Sequence, residues 1–147
     1  MAPILLIWLK FKKEFKMRIQ KILAMEEAIK NLKSKNLPIK TAYRLLKLAE
    51  LVSKEAENYR NLFRQILDEY AEKKEDGSYV LSEDGTNVII QKEHIQDANQ
   101  KVDELNKIDV EIPYTFDIKD FDNIEISLEE LAPLMDLIVD EDETPVT

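Results

Sequence analysis

Cysteine is absent from this 147-residue chain. Disulfides, thiolate metal sites and cysteine nucleophiles are therefore excluded, and the composition suits a reducing compartment. Glycine occurs twice, at Gly77 and Gly85. A phosphate-cradling loop of either the Walker or the dinucleotide type cannot be written with so few glycines. A single histidine, His94, rules out a histidine-rich metal site within one chain. The longest apolar run near the N-terminus, Ile4 to Leu9, falls short of the about 20 residues that span a bilayer. It is also a poor signal peptide, because its positive charges follow the apolar run.

Two readings of residues 1–16 stand beside each other. Trp8 and Phe11 with Lys10, Lys12 and Lys13 have the chemistry of a membrane-surface arm. Alternatively, the run Lys12 to Met17 can be encoded by a purine-rich stretch, an A/T-rich spacer and ATG, which is the layout of a bacterial ribosome-binding site. The expectation is that residues 1–16 are upstream sequence read as coding and that Met17 is the natural start.

What is present begins with charge. The net charge is −9, with 44 % hydrophobic residues, an ordinary content for a globular chain. Residues 1–60 carry 14 Lys/Arg against 6 Asp/Glu, and residues 61–147 carry 7 against 24. A basic half and an acidic half can attract within a fold or between copies, or can simply be solvated faces.

The most strongly patterned stretch is 38–71. Ala42, Leu45, Ala49, Val52, Ala56, Tyr59, Phe63, Ile66 and Tyr70 recur at alternating steps of three and four. That spacing predicts one long helix with a coiled-coil-type seam. An earlier helix is expected over 18–35, with Ile19, Ile22, Met25, Ile29 and Leu32 as its stripe. Asn36-Leu37-Pro38 breaks it, so the two helices should form an antiparallel hairpin. A β-hairpin is expected over 78–90 around Asp84-Gly85. A third helix is expected over 92–107, whose seam could lie on the distal half of the long helix. The alternation Val110, Ile112, Tyr114, Phe116, Ile118 predicts a half-buried strand over 109–118, with Pro113 favouring an edge. Ser127-Leu128-Glu129-Glu130 fits a capping box opening a last helix over 128–138, with either a kink at Pro133 or a later start expected. The fold class is α+β, mainly α: an antiparallel helical hairpin with one long helix, a small antiparallel sheet and short C-terminal helices. Residues 17–139 are expected to form one domain, and 140–147 an acidic disordered tail.

No catalytic constellation emerges. Asp117, Asp120, Asp122, Asn123 and Glu125 invite a calcium reading, but the loop lacks the central glycine and the register such a site needs. His94 lies near Lys92 and Glu93 without a nucleophile beside it. Tyr43, Tyr59, Phe63 and Tyr70 could stack bases, yet their helical spacing places them in a core. No cofactor, metal or catalytic residue is expected. The candidate contact surface for nucleic acid or a partner is the cluster Lys30, Lys33, Lys35, Lys40, Arg44 and Lys47 around the hairpin bend. The candidate helix seam is Leu45, Val52, Tyr59, Phe63, Ile66 and Tyr70.

The segment Lys35 to Tyr43, with the ending that runs from Val110-Glu111-Ile112 through Ile124-Glu125-Ile126-Ser127 to Leu131, resembles a family of small proteins encoded by tailed bacteriophages and prophages. The resemblance covers roughly residues 17–138. It implies a phage origin and a bacterial host cytoplasm, with virion association also open, and it brings no activity and no functional residues. Together these readings favour a non-enzymatic protein that works by protein–protein contact with a phage or host partner, as an accessory, assembly or host-directed factor. The alternative is a nucleic-acid role, either binding through the bend or mimicry of phosphates by the acidic half to inhibit a host DNA-binding enzyme. No membrane association is expected, and the chain could be a monomer or a homodimer.

Overall fold

The computed structural model describes residues 15–140. The expectations for residues 1–14 and 141–147 lie outside them. The described residues belong to two compact bodies, one drawn from the chain up to Glu55 and from Asp109 onward, the other from Ala56–Ile108.

The first body opens with strand β1, Phe15–Arg18, paired antiparallel to β2, Asp109–Ile112, with Met17 opposite Val110. The sequence pattern starts a helix here, and the structure corrects it. Lys16 and Arg18 point outward while Met17 is buried, a two-residue alternation that a partner strand nearly a hundred residues away can satisfy. Arg18 pairs with Asp109 at 3.3 Å across the two strands. Helix α1, Ile19–Lys33, follows directly and buries Ile19, Ile22, Met25, Ala28, Ile29 and Leu32. This is the expected apolar face, widened by Ala28.

The chain then turns. The Ser34 hydroxyl donates to the Asn31 carbonyl at 2.8 Å, and the Pro38 carbonyl accepts the Ala42 amide at 2.8 Å, opening helix α2, Ile39–Tyr70. The hairpin and the long helix are as the sequence predicts. The stripe that α2 buries in this body is rotated from the predicted one. Thr41, Leu45, Leu48 and Val52 are buried, whereas Ala42 and Ala49 are only half-buried. A leucine removes far more apolar area from water than an alanine, so the helix turns Leu48 inward.

Residues 113–139 complete this body. The strand expected over 109–118 is instead interrupted at Pro113-Tyr114-Thr115, where proline withholds a ladder donor. Strand β3, Phe116–Asp117, resumes and pairs parallel with β4, Ile138–Val139. A 3-10 turn, Ile118–Phe121, folds Phe121 back on Phe116, with ring centres 6.2 Å apart. Ser127 caps a short helix, Leu128–Leu131, its hydroxyl accepting the Glu130 amide at 3.1 Å. Pro133 ends the α-form there, and a 3-10 turn, Ala132–Leu137, buries Leu134 and Leu137.

The second body holds the last four turns of α2, helix α3 (Ile95–Asn106) with a 3-10 turn (Lys92–His94) before it, and three short extended segments. The expected hairpin is one side of a closed triangle. Leu81 bridges Val88, Lys73 bridges Tyr79, and Ala71 bridges Ile90, all antiparallel. The Glu72 amide donates to the Ile89 carbonyl, the Ile89 amide to Val80, and the Val80 amide to Glu72, each at 2.9 Å. Each segment thus serves the other two, and no edge is left between them. Gly77 and Gly85 sit at the two turns with φ of +87° and +74°, where a side chain would be strained. As expected, α3 lies on the distal part of α2. The Tyr59 hydroxyl donates to Asn106 Oδ1 at 2.7 Å, and Lys101 pairs with Glu69 at 3.1 Å.

Candidate interaction surface

The hairpin bend belongs to the first body and carries all six cations singled out in the sequence. Lys30, Lys33, Lys40 and Arg44 are exposed, and Lys35 and Lys47 are half-exposed. Lys30 and Lys33 line one wall of an open cleft of about 330 Å³, with Glu26 and Ile29 beside them and Ala49, Val52 and Ser53 opposite. Arg44 reaches the loop after β2, its guanidinium donating to the Thr115 carbonyl at 3.4 Å. The Lys47 ammonium lies 5.6 Å from the centre of the Tyr43 ring, within cation–π range.

Between these cations the structure places side chains that the sequence pattern did not single out. Ile39 is 86 % exposed, Tyr43 61 % and Leu46 54 %. They sit at i, i+4 and i+7, one row along α2 on the side away from Leu45, Leu48 and Val52. Tyr43 is thus not the core residue that its spacing suggested. The signal that could have found the row is phase: once Leu45, Leu48 and Val52 are the buried set, Ile39, Tyr43 and Leu46 must face out. Immediately beside them runs a second row at the same spacing, Lys40, Arg44 and Lys47. Glu50 continues the apolar row by one turn and closes it with a carboxylate.

The seam residues divide differently. Leu45, Val52 and Tyr70 are buried. Tyr59, Phe63 and Ile66 are half-buried, with the Tyr59 and Phe63 rings stacked at 6.2 Å. Tyr59 reaches Asn106 of α3 and Ile66 shares a cleft with Leu105 of α3, both within the second body. A shallow cleft of about 320 Å³ there is lined by Leu62, Ile66, Leu105 and Ile108. Lys101 closes one end, and its ammonium is held above the usual lysine range by Tyr70 first and Glu69 second. Glu69 in turn is held below the usual carboxylate range, chiefly by Lys101.

The other candidate groups have local partners. His94 packs on Tyr70 with ring centres 5.6 Å apart. Asp117 and Asp120 form a reciprocal cap on the 3-10 turn: Asp117 accepts the Lys119 amide at 3.0 Å, and Asp120 accepts the Asp117 amide at 3.3 Å. Asp84 accepts from Ser82 and Thr86, which holds its carboxyl below the usual range, the Ser82 hydroxyl contributing most. Among the described residues, no three carboxylates or histidines converge as a metal site. No described helix is long and apolar enough to cross a membrane. Neither the family models, nor the curated proteins, nor the solved structures compared with the chain give a match.

Proposed function

We propose that the protein is a non-enzymatic, phage-encoded factor that works by docking another protein on the outer face of the first turns of α2. The supporting observation is the uncovered row Ile39, Tyr43 and Leu46. Single exposed apolar residues are ordinary, but a contiguous row rimmed by charge marks an interaction surface. The phage origin rests on the resemblance of the ending around Ile124-Glu125-Ile126-Ser127, and it implies a bacterial cytoplasm as the setting.

The test is affinity purification of the full chain from phage-infected bacteria. The wild type is compared with Ile39→Glu/Leu46→Glu and with a control, Leu128→Glu, at an exposed site elsewhere in the same body. A protein retained by wild type and control and lost from the double variant is the expected result. Identical profiles for all three would overturn the reading.

A nucleic-acid role is the second reading, favoured by the six cations around the bend. Phosphate contacts predict a salt-sensitive mobility shift of DNA or RNA that disappears when Lys33, Lys35 and Lys40 are reversed. No shift at low salt removes it. Phosphate mimicry by the acidic half would appear as inhibition of a DNA-binding enzyme by the full chain.

A further inference from the structure

We infer that the partner presents an acidic amphipathic segment, with carboxylates set beside apolar side chains at helical spacing. The inference rests on the docking reading above and names the chemistry of what docks. Two parallel rows on α2 carry it. Ile39, Tyr43 and Leu46 form the first, and Lys40, Arg44 and Lys47, each one residue further on, form the second. Any chain that covers the first row must lie along the second. Its apolar side chains meet Ile39, Tyr43 and Leu46, and its own next row meets three cations. Only Asp or Glu at that place relieves the charge. The matched rows extend about 10 Å, at about 1.5 Å per residue, so two turns of a partner helix suffice.

The cations are positioned for carboxylates. Arg44 is steadied by the Thr115 carbonyl at 3.4 Å, and a guanidinium retains further donors for a bidentate pair. Lys47 is held 5.6 Å from the centre of the Tyr43 ring, so a carboxylate that pairs with it lies beside the apolar row.

The same layout disfavours three other occupants. Nucleic acid would set phosphates against a row whose members are aliphatic or aromatic and which ends in the carboxylate of Glu50. A second copy docking antiparallel about a two-fold axis would set the row Lys40, Arg44 and Lys47 along the same cationic row of its partner. An anionic lipid surface suits the cations, but Glu50 again opposes it and the apolar row is only two turns long. Three side chains with their cationic rim fall below the about 800 Å² per partner of a standard interface, which points to a transient complex.

The experiment replaces Tyr43 in the full chain with the photo-cross-linking residue p-benzoylphenylalanine and irradiates infected cells. The expected product is a protein cross-link whose mapped peptide carries Asp or Glu next to apolar residues. Its yield should fall at least tenfold in Lys40→Glu/Arg44→Glu/Lys47→Glu. It should fall less in the milder Lys40→Gln/Arg44→Gln/Lys47→Gln, and the yield of the charge-reversed protein should return when the mapped carboxylates are changed to lysine. A cross-link to nucleic acid, to lipid, to this chain itself, or to a neutral or basic segment would overturn the inference. So would a protein cross-link that is lost in Ile39→Glu/Leu46→Glu yet indifferent to charge reversal, and that outcome would leave the docking reading standing. No product above that from the same cross-linker at Leu128 would overturn both.

Discussion

Leu48 and Ala49 are neighbours on α2 with opposite fates, and they set the phase of the whole helix. Leu48 has no exposed surface, whereas Ala49 is half-exposed. Leu48→Ala should therefore lower stability by about 2–5 kcal/mol in urea unfolding, because truncation leaves a cavity. The seam written from alternating threes and fours puts Ala49 inward, and on that phase Leu48→Ala would cost little. A second prediction concerns the carboxylates of the two turns. Asp76 is held below the usual carboxylate range by the Ser78 hydroxyl and amide, as Asp84 is by Ser82 and Thr86. A carboxyl whose folded value is depressed stabilises fully above its unfolded value, and the contribution is lost as pH falls through the folded one. The amide resonances of Ser78 and Thr86 should thus titrate below the model-peptide aspartate value of about 3.9. Midpoints at or above that value would contradict the caps.

At the scale of elements, the triangle of short segments in the second body depends on its turns. Gly77→Ala and Gly85→Ala should each cost on the order of 1 kcal/mol, because both positions have positive φ. The corresponding Asn variants should cost less, as asparagine tolerates that region better. Equal stability of all four variants would show that these turns relax freely. The turn at Asp84-Gly85 was legible because its signal is local, and so were α1, α2 and the Ser127 cap. The pairing of Glu72 with both Val80 and Ile89 was not, because nothing in a helix-like run of charges announces that its end will unwind into a strand. Strand β1 was hidden for a related reason. Phe15–Arg18 offers only two alternations, and its partner β2 lies more than ninety residues away. Met17→Asp tests that pairing: burying a carboxylate at a 5 % exposed position should destabilise the chain by roughly 2–7 kcal/mol. On the reading that starts a helix there, the same change falls on a free helix end and does little.

For the molecule as a whole, the row Lys40, Arg44 and Lys47 lies on the outer face of a helix whose other side holds the first body together. The cations around the bend were legible from composition and spacing. The apolar row between them was not, because it appears only once the buried phase of α2 is known. The functional reading stands on that row being uncovered, and equilibrium unfolding of Ile39→Glu/Leu46→Glu tests it most directly. With both side chains exposed, stability should be unchanged, or raised by up to about 1 kcal/mol because the carboxylate introduced at position 39 would face the positive end of the helix. A loss of about 2 kcal/mol or more, of the order caused by charging a core position, would contradict the account.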